Sequence, residues 1–152
     1  MMDVSFLYIF WYCIIFVALF AFAALDGFDL GVGCVHLFVK DDTERRVFLN
    51  AIGPVWDGNA VWLIIVSGGL LAGFPAAFGT IFSSFYDLIM LLLGGIIFRA
   101  VAIEFRSKRA SRGWRNTWDV MFSLSSIVMS FISGVVLGNL IQGIPLDKDG
   151  VF

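Results

Sequence analysis

Six ionisable side chains stand within long apolar stretches of the sequence, and these are the residues that could carry chemistry. If such a stretch spans a membrane, each charge costs roughly 2.5–3.5 kcal/mol, so a chain retains it with a partner or for a function. A carboxyl group there can bind and release a proton, whereas a charge near a helix end can simply extend to the water interface. The six residues are Asp26, Asp29, Asp57, Asp87, Arg99 and Glu104.

Asp57 has the most unusual surroundings, because its run contains a proline, a glycine and two tryptophans. Trp56 precedes it, Asn59 follows two positions later, and Trp62 stands about one turn further on. These residues predict a distorted helix start that lines a polar pocket, since irregular backbone at membrane depth must be buried in protein or face water. An acid there could pass protons, or it could cap free backbone N–H groups. The spacing favours neither interpretation.

Asp26 and Asp29 are three positions apart, so on a helix they share a face with each other and with Gly33. Two acids on one face can hold a shared proton or bind a cation. They can equally mark the point where the first helix leaves the lipid. Arg99, near the end of a later apolar run, is either a partnered buried charge or an arginine that reaches the interface.

A haem group is not expected on this chain, because a six-coordinate b-type haem needs two axial ligands, usually two histidines or a histidine and a methionine. The sequence contains one histidine, His36. Its two cysteines, Cys13 and Cys34, form no C-x-x-C motif, which argues against zinc and iron–sulfur sites. Nucleic-acid binding is not expected either, because membrane topology explains the short basic connector.

The composition places these residues in a membrane. Hydrophobic residues make up 60% of the 152-residue chain, its mean hydropathy is +0.94, and 14% of its residues are charged, against roughly 25% in a soluble domain. A helix needs about 20 apolar residues to cross a bilayer. The sequence therefore predicts an all-α integral membrane protein in which residues 1–152 form one four-helix bundle. The predicted spans are roughly 5–38, 52–74, 76–105 and 117–142.

The distribution of lysine and arginine predicts the orientation, because cytoplasmic loops carry an excess of both. Of the ten such residues, three lie in the first loop and six in the third, counting Arg99 at its edge, and the turn between the second and third spans has none. The remaining one, Lys148, follows the last span. The first and third loops are therefore predicted in the cytoplasm, with both termini outside.

The fourth span carries a ladder of small residues, each four positions from the next. Such a ladder forms one shallow face along a helix and lets another helix pack closely against it. The sequence therefore predicts a helix contact along this face. Its members are Ser126, Ser130, Gly134 and Gly138.

Several motifs along the whole chain resemble those of subunit II of cytochrome bd-type quinol oxidases. The longest are GFDLGVG at 27–33 and GPVWDGN at 53–59. Shorter ones occur in the same order as in the family. These are TERR at 43–46, FRAVAIEFRSK at 98–108, WRNTWD at 114–119 and GVVLGNLIQG at 134–143.

The resemblance implies a respiratory complex of the bacterial cytoplasmic membrane that oxidises quinol and reduces dioxygen to water. In that family subunit I holds the haems, b-type with d-type or b-type only, and subunit II carries no haem ligand. Subunit II packs against subunit I and contributes polar residues to a proton path. By position, the acid of the WDGN motif is Asp57. The family's other membrane-embedded charges correspond to Asp26, Asp29, Arg99 and Glu104.

Three departures from the family pattern bear on function. The resemblance covers only the first of the family's two similar four-helix halves, which implies a second half or a small accessory subunit as a further partner, besides membrane lipid. Ala60 stands where the family usually has Glu or Gln, and Asp87 stands where an apolar residue is expected.

A second class of function stays open on the sequence. A small membrane bundle without a redox partner, such as half of a proton-coupled transporter or an assembly factor, would have the same hydropathy. Co-purification with a haem-bearing chain distinguishes the two classes.

Overall fold

The computed structural model describes residues 4–143, and these residues form helices joined by short turns, with no strand in that range. Three helical segments are long and apolar enough to cross a membrane, and a bent pair of helices supplies a fourth crossing if it is one span. The predicted all-α integral membrane architecture is therefore confirmed.

The first crossing is a continuous helical segment of 34 residues, Ser5–Phe38, although its geometry changes along its length. A π-helical turn in the middle, of the kind often found at functional sites, alters which residues face the bundle. From the N-terminal end the parts are α1 (Val4–Ala21), the π turn (Phe22–Asp26), α2 (Gly27–Val35) and a 3₁₀ turn (His36–Phe38).

The second crossing is bent. Helix α3 (Asp42–Ile52) meets helix α4 (Trp56–Gly73) at an angle of 49°. Pro54 stands in the break, where it lacks a backbone donor for a continuing helix. The 18 residues of α4 give a length of about 27 Å at 1.5 Å per residue, which is close to the roughly 30 Å of the hydrocarbon core.

The predicted third span, 76–105, is divided in the structure. Helix α5 (Pro75–Ser84) ends before Phe85, and helix α6 (Tyr86–Arg106) begins after that residue. The residues at the break are Ser, Phe and Tyr, which are moderate helix formers. With 10 residues, α5 is about 15 Å long and too short to cross alone, so the crossing belongs to α6.

The last helix, α7 (Arg112–Gln142), has 31 residues and begins five residues before the predicted span. Ser111 caps its start by accepting a hydrogen bond from the backbone N–H of Trp114 at 3.3 Å. At its other end Gly143 has a φ of 89°, a conformation that glycine adopts without steric cost and that ends the helix.

Among the residues that the structure describes, at least as many charged and polar side chains as apolar ones are buried. A small apolar core is formed by Ile52, Ala102 and Phe122, with Trp56 and Trp118 packed against it. Large apolar side chains instead cover the outside of the bundle. This arrangement suits a lipid environment, where burial of apolar side chains gives no hydrophobic gain and polar groups must be satisfied inside.

We predict that a cysteine introduced at Ser111 reacts from the cytoplasmic side and one introduced at Ala77, on α5, reacts from the outside. Both positions are exposed, and the excess of basic residues in the first and third loops sets this orientation. The measurement is labelling of intact cells and of inverted vesicles with an impermeant maleimide, in a background where Cys13 and Cys34 are alanine. Labelling of both positions from one side would contradict the prediction.

Candidate functional site

Two groups of polar side chains lie inside the bundle, at different heights. We call the first the membrane cluster, which consists of Asp26, Asp29, Asn59 and Arg99. We call the second the connector cluster, because it joins the segments next to the two basic loops. It consists of His36, Asp42, Arg45, Arg106, Arg115 and Asp119.

The centre of the membrane cluster is an ion pair between α6 and the π turn. Arg99 donates two hydrogen bonds to Asp26, from Nη1 to Oδ2 at 3.1 Å and from Nη2 to Oδ1 at 2.5 Å. Asp26 is 0% exposed and Arg99 is 1% exposed. The bidentate geometry satisfies the carboxylate on both oxygens, as a buried pair requires. Arg99 is therefore a buried charge with a partner, and it does not extend to the water interface.

Asp29 is the acid of the membrane cluster that has no cationic partner. Its Oδ2 accepts a hydrogen bond from Asn59 Nδ2 at 2.9 Å, while Oδ1 is buried without a hydrogen-bond partner within residues 4–143. Because Asp26 is bound to Arg99 on both oxygens, Asp29 is the carboxyl group here that could take up and release a proton.

The connector cluster is centred on Asp119 of α7. Its Oδ1 accepts from Arg106 Nε at 2.5 Å and lies 2.6 Å from His36 Nε2. Its Oδ2 accepts from Arg45 Nη1 at 2.9 Å and from Arg106 Nη2 at 3.2 Å. One carboxylate thereby ties together α3, α6, α7 and the 3₁₀ turn.

Asp42 extends the connector cluster towards the surface. It accepts from Arg106 Nη2 and from Arg115 Nη1, each at 2.7 Å. Asp42 opens α3 directly after the polar loop, outside the apolar part of the spans. Partial burial acts to raise the pKa of Asp42, but the hydrogen bond from Arg106 and the charges of Arg106 and Arg115 outweigh it and lower the pKa.

The surroundings of His36 do not fit a haem ligand. The ring of His36 is 0% exposed, and its Nε2 is engaged with Asp119. Its edge-on contact with the Phe122 ring, at 5.2 Å between centroids, covers it further. Within residues 4–143 no three His, Cys, Asp or Glu residues are arranged to hold a metal ion.

The structure places Asp57 and its predicted companions apart from one another. Asp57 is exposed in the first turn of α4 and forms no hydrogen bond or ion pair with any described residue. Asn59, expected beside it, binds Asp29. Trp56 packs against the apolar core, and Trp62 lines an apolar groove between α1 and α4. The four residues therefore do not form one polar pocket.

Two other predicted acids lie on the surface of the chain. Glu104 on α6 is exposed, although it stands only two residues from Arg106 of the connector cluster. Asp87 is exposed in the first turn of α6, where its charge faces the positive end of the helix dipole.

The small-residue ladder of α7 is covered at one end and open at the other. Ser126 is buried against Gly33 of α2, so closely that a Cβ added to Gly33 would overlap the hydroxyl. Ser130 lies beside Cys34, with 3.8 Å between the oxygen and sulfur atoms. A Cβ added at Gly134 or Gly138 would meet no atom of residues 4–143 within 4 Å. A helix contact at these two glycines stays a prediction.

Sequence reasoning missed the connector cluster. It attributed Arg45, Arg106 and Arg115 to topology alone, and it did not count Asp119 among the charges at membrane depth. The signal that could have found the cluster was Asp119 itself, which stands inside the predicted fourth span, 117–142. An acid in that position needs a cationic partner, and the neighbouring basic connectors are the nearest source.

The chain is similar to known proteins along nearly its whole length. A family model described as cytochrome bd terminal oxidase subunit II matches residues 7–152. Cytochrome bd-I ubiquinol oxidase subunit 2 of Escherichia coli K12 is 43% identical over 150 residues, which are 98% of this chain and 40% of that protein.

Two further relatives extend the comparison to other bacteria. Cytochrome bd ubiquinol oxidase subunit 2 of Bacillus subtilis is 37% identical over 140 residues, 91% of this chain and 41% of that protein. Probable cytochrome oxidase subunit 2 of Haemophilus influenzae is 37% identical over 146 residues, 95% of this chain and 39% of that protein. The chain spans about two fifths of the length of these relatives.

Proposed function

This chain belongs to the cytochrome bd terminal oxidase subunit II family, and on that premise we propose that it acts as the non-haem subunit of a bd-type quinol:dioxygen oxidoreductase. In this role it lies in the bacterial inner membrane and packs against the haem-bearing subunit I. The haems, which supply the electron transfer and oxygen chemistry, belong to that subunit. This chain contributes part of the path that brings protons to the site of dioxygen reduction.

The observation that carries the proton role is the environment of Asp29. It is 0% exposed and has no cationic partner within the described chain, and it lies in the part of a bundle that faces lipid on its outside. Burial of a carboxyl group at membrane depth costs free energy, so a chain is expected to keep one there only where it has a function. The neighbouring charges, Asp26 and Arg99, neutralise each other and leave Asp29 as the group that exchanges a proton.

Asp57 is the proposed exit of this path from the chain. It stands at the broken start of α4, two residues before Asn59, whose amide holds Asp29. The alternative role, a helix cap, has no support in the geometry, because the side chain of Asp57 accepts no backbone N–H from any described residue. An exposed acid at this point is available to a group on subunit I. Glu104, which is exposed on α6, is a second acid that this route could use.

We predict that Asp57→Asn and Asp29→Asn each lower quinol oxidase turnover roughly 10²-fold, the low end of what a positioned proton-transfer group contributes. An amide preserves shape and most hydrogen bonds but carries no proton, so assembly and haem content should be unchanged. The measurement is oxygen consumption by the purified complex at equal haem content. Asp87→Asn is the matched control, since Asp87 is also an exposed acid in the first turn of a helix.

Two outcomes would contradict the proposal. If the assembled Asp57→Asn, Asp29→Asn and double variants all keep the turnover of the parent complex, the proposed proton role is wrong. Failure of the chain to co-purify with any haem-bearing subunit would remove the oxidase role, and would favour a bundle without a redox partner.

A further inference from the structure

An apolar groove of about 200 Å³ lies between α6 and α7 on the outside of the bundle. Gly94, Phe98 and Leu124 line it, and the two larger side chains are 50% and 55% exposed. A Cβ added to Gly94 would meet no atom of residues 4–143 within 4 Å, whereas one added to Gly95 would lie 2.6 Å from Met129 Cγ. The two helices therefore touch at Gly95 and leave a space open beside Gly94.

Three aromatic side chains lie at the predicted cytoplasmic ends of the same two helices, and we call Phe105, Trp114 and Trp118 the aromatic cluster. The centroid of the Trp118 ring is 5.7 Å from that of Phe105 and 5.5 Å from that of Trp114. Trp114 Nε1 also donates a hydrogen bond to the Phe105 carbonyl at 2.8 Å. Because tryptophan is enriched where a membrane meets water, this cluster marks the level of the lipid headgroups.

The groove and the aromatic cluster lie on the same faces of the two helices. Residues seven positions apart on a helix are separated by about two turns and face the same way. On each helix a line of such residues leads from the groove to the cluster. The line on α6 is Leu91, Phe98 and Phe105, and the line on α7 is Val128, Met121 and Trp114.

Two exposed cations stand at the water end of this path, directly after α6. The backbone N–H of Lys108 binds the Phe105 carbonyl at 3.1 Å, and the guanidinium carbon of Arg109 lies 4.8 Å from the centre of the Trp114 ring. Neither side chain has an ion pair or a hydrogen bond within residues 4–143. The arginines of the connector cluster, in contrast, are bound to carboxylates.

We propose that this path is a binding site for one phospholipid of net negative charge from the cytoplasmic leaflet. Its phosphate binds Lys108 and Arg109, its glycerol region lies against the aromatic cluster, and one acyl chain occupies the groove. Lysine and arginine are the side chains that bind phosphate oxygens, and basic sites between helices on the cytoplasmic side bind anionic headgroups. This inference goes beyond the proposed function and does not depend on it.

The depth of the groove matches the length of an acyl chain. One leaflet is about half of the roughly 30 Å hydrocarbon core, and 15 Å corresponds to about ten residues of a helix. Ten residues from Phe105 along α6 is Gly95, which lines the groove. The two cations distinguish the lipid from a protein helix, because only an occupant with a negative charge at this level gives them a partner.

The headgroup is tested with Lys108→Gln/Arg109→Gln, and Lys40→Gln/Arg46→Gln is the matched control. Each double variant removes one lysine and one arginine that are exposed on the predicted cytoplasmic side. Binding of phosphatidylglycerol and of phosphatidylcholine with the same acyl chains is titrated by native mass spectrometry. The protein is purified in detergent together with any subunit that accompanies it.

We expect the parent and the control to bind phosphatidylglycerol more tightly than phosphatidylcholine. A cationic side chain near an anionic headgroup contributes about fivefold in affinity. The Lys108→Gln/Arg109→Gln variant should therefore bind phosphatidylglycerol about 25-fold more weakly than the parent, and no better than phosphatidylcholine.

The acyl chain is tested with Gly94→Leu, which fills the groove without touching the two cations. Gly79→Leu on α5 is the control, because a Cβ added there also meets no atom of residues 4–143 within 4 Å. Gly94→Leu should weaken the binding of both lipids, since they share the same chains, and the control should bind as the parent does. If Gly94→Leu is not recovered in folded form, Leu124→Trp fills the groove from an exposed position on α7.

Four results would overturn the proposal. Equal affinity of the parent for the two lipids, or an equal loss in the two double variants, would show that lipid surrounds the chain without a specific site. Unchanged binding in a folded variant with a filled groove would show that no acyl chain lies there. A cysteine introduced at Leu124 that cross-links to another polypeptide would place protein in the groove.

Discussion

Arg99→Met should severely destabilise the bundle. Asp26, which is 0% exposed, would be left as a buried charge without its bidentate partner. Removal of one partner from a buried ion pair costs about 3–5 kcal/mol, a large part of the total stability of about 5–15 kcal/mol that is typical of proteins. The measurements are the yield of folded protein in the membrane and the thermal unfolding midpoint in detergent.

A second substitution tests whether the unpaired charge is the cause. Asp26→Asn combined with Arg99→Met removes that charge, and it should recover part of the lost stability. Arg112→Met is the control, because Arg112 is exposed and forms no ion pair with the described residues. A single Arg99→Met variant as stable as the control would show that the pair does not hold the π turn against α6.

Asp119→Asn should have an effect of similar size at the other end of the bundle. Asp119 is the shared acceptor for His36, Arg45 and Arg106. The amide would leave Arg45 without its carboxylate partner and Arg106 with only the half-exposed Asp42. We expect a loss of about 3–5 kcal/mol, seen as a lower unfolding midpoint and faster tryptic cleavage at Lys108 and Arg109 in inverted vesicles.

Asp42→Asn is the comparison that separates the centre of the connector cluster from its edge. The Asp42 side chain is 46% exposed, against 2% for Asp119. Exposed ion pairs contribute about 0–1 kcal/mol, so this variant should remain close to the parent. Equal loss in the two variants would mean that the cluster acts as a surface charge network and that Asp119 has no central role.

Hydropathy and charge placement predicted the membrane architecture because both act locally. A run of about 20 apolar residues crosses a bilayer whatever its neighbours are. Both ends of the first span, Ser5–Phe38, could therefore be predicted from the sequence. The same local cost identified Asp26, Asp29 and Arg99 as charges that need a partner or a function. The motifs at 27–33 and 53–59 were long enough to indicate the family.

Partner choice was decided only by the tertiary structure. Arg99 binds Asp26 across 73 residues, and Asn59 binds Asp29 across 30 residues instead of the nearby Asp57. Asp119 gathers its partners from α6, α3 and the 3₁₀ turn, up to 83 residues away. Each pairing depends on which helix faces meet, and that follows from the π turn, the bend between α3 and α4 and the contact of Gly33 with Ser126. Local sequence specifies that a buried charge must be satisfied, whereas the packing of the helices determines which group satisfies it.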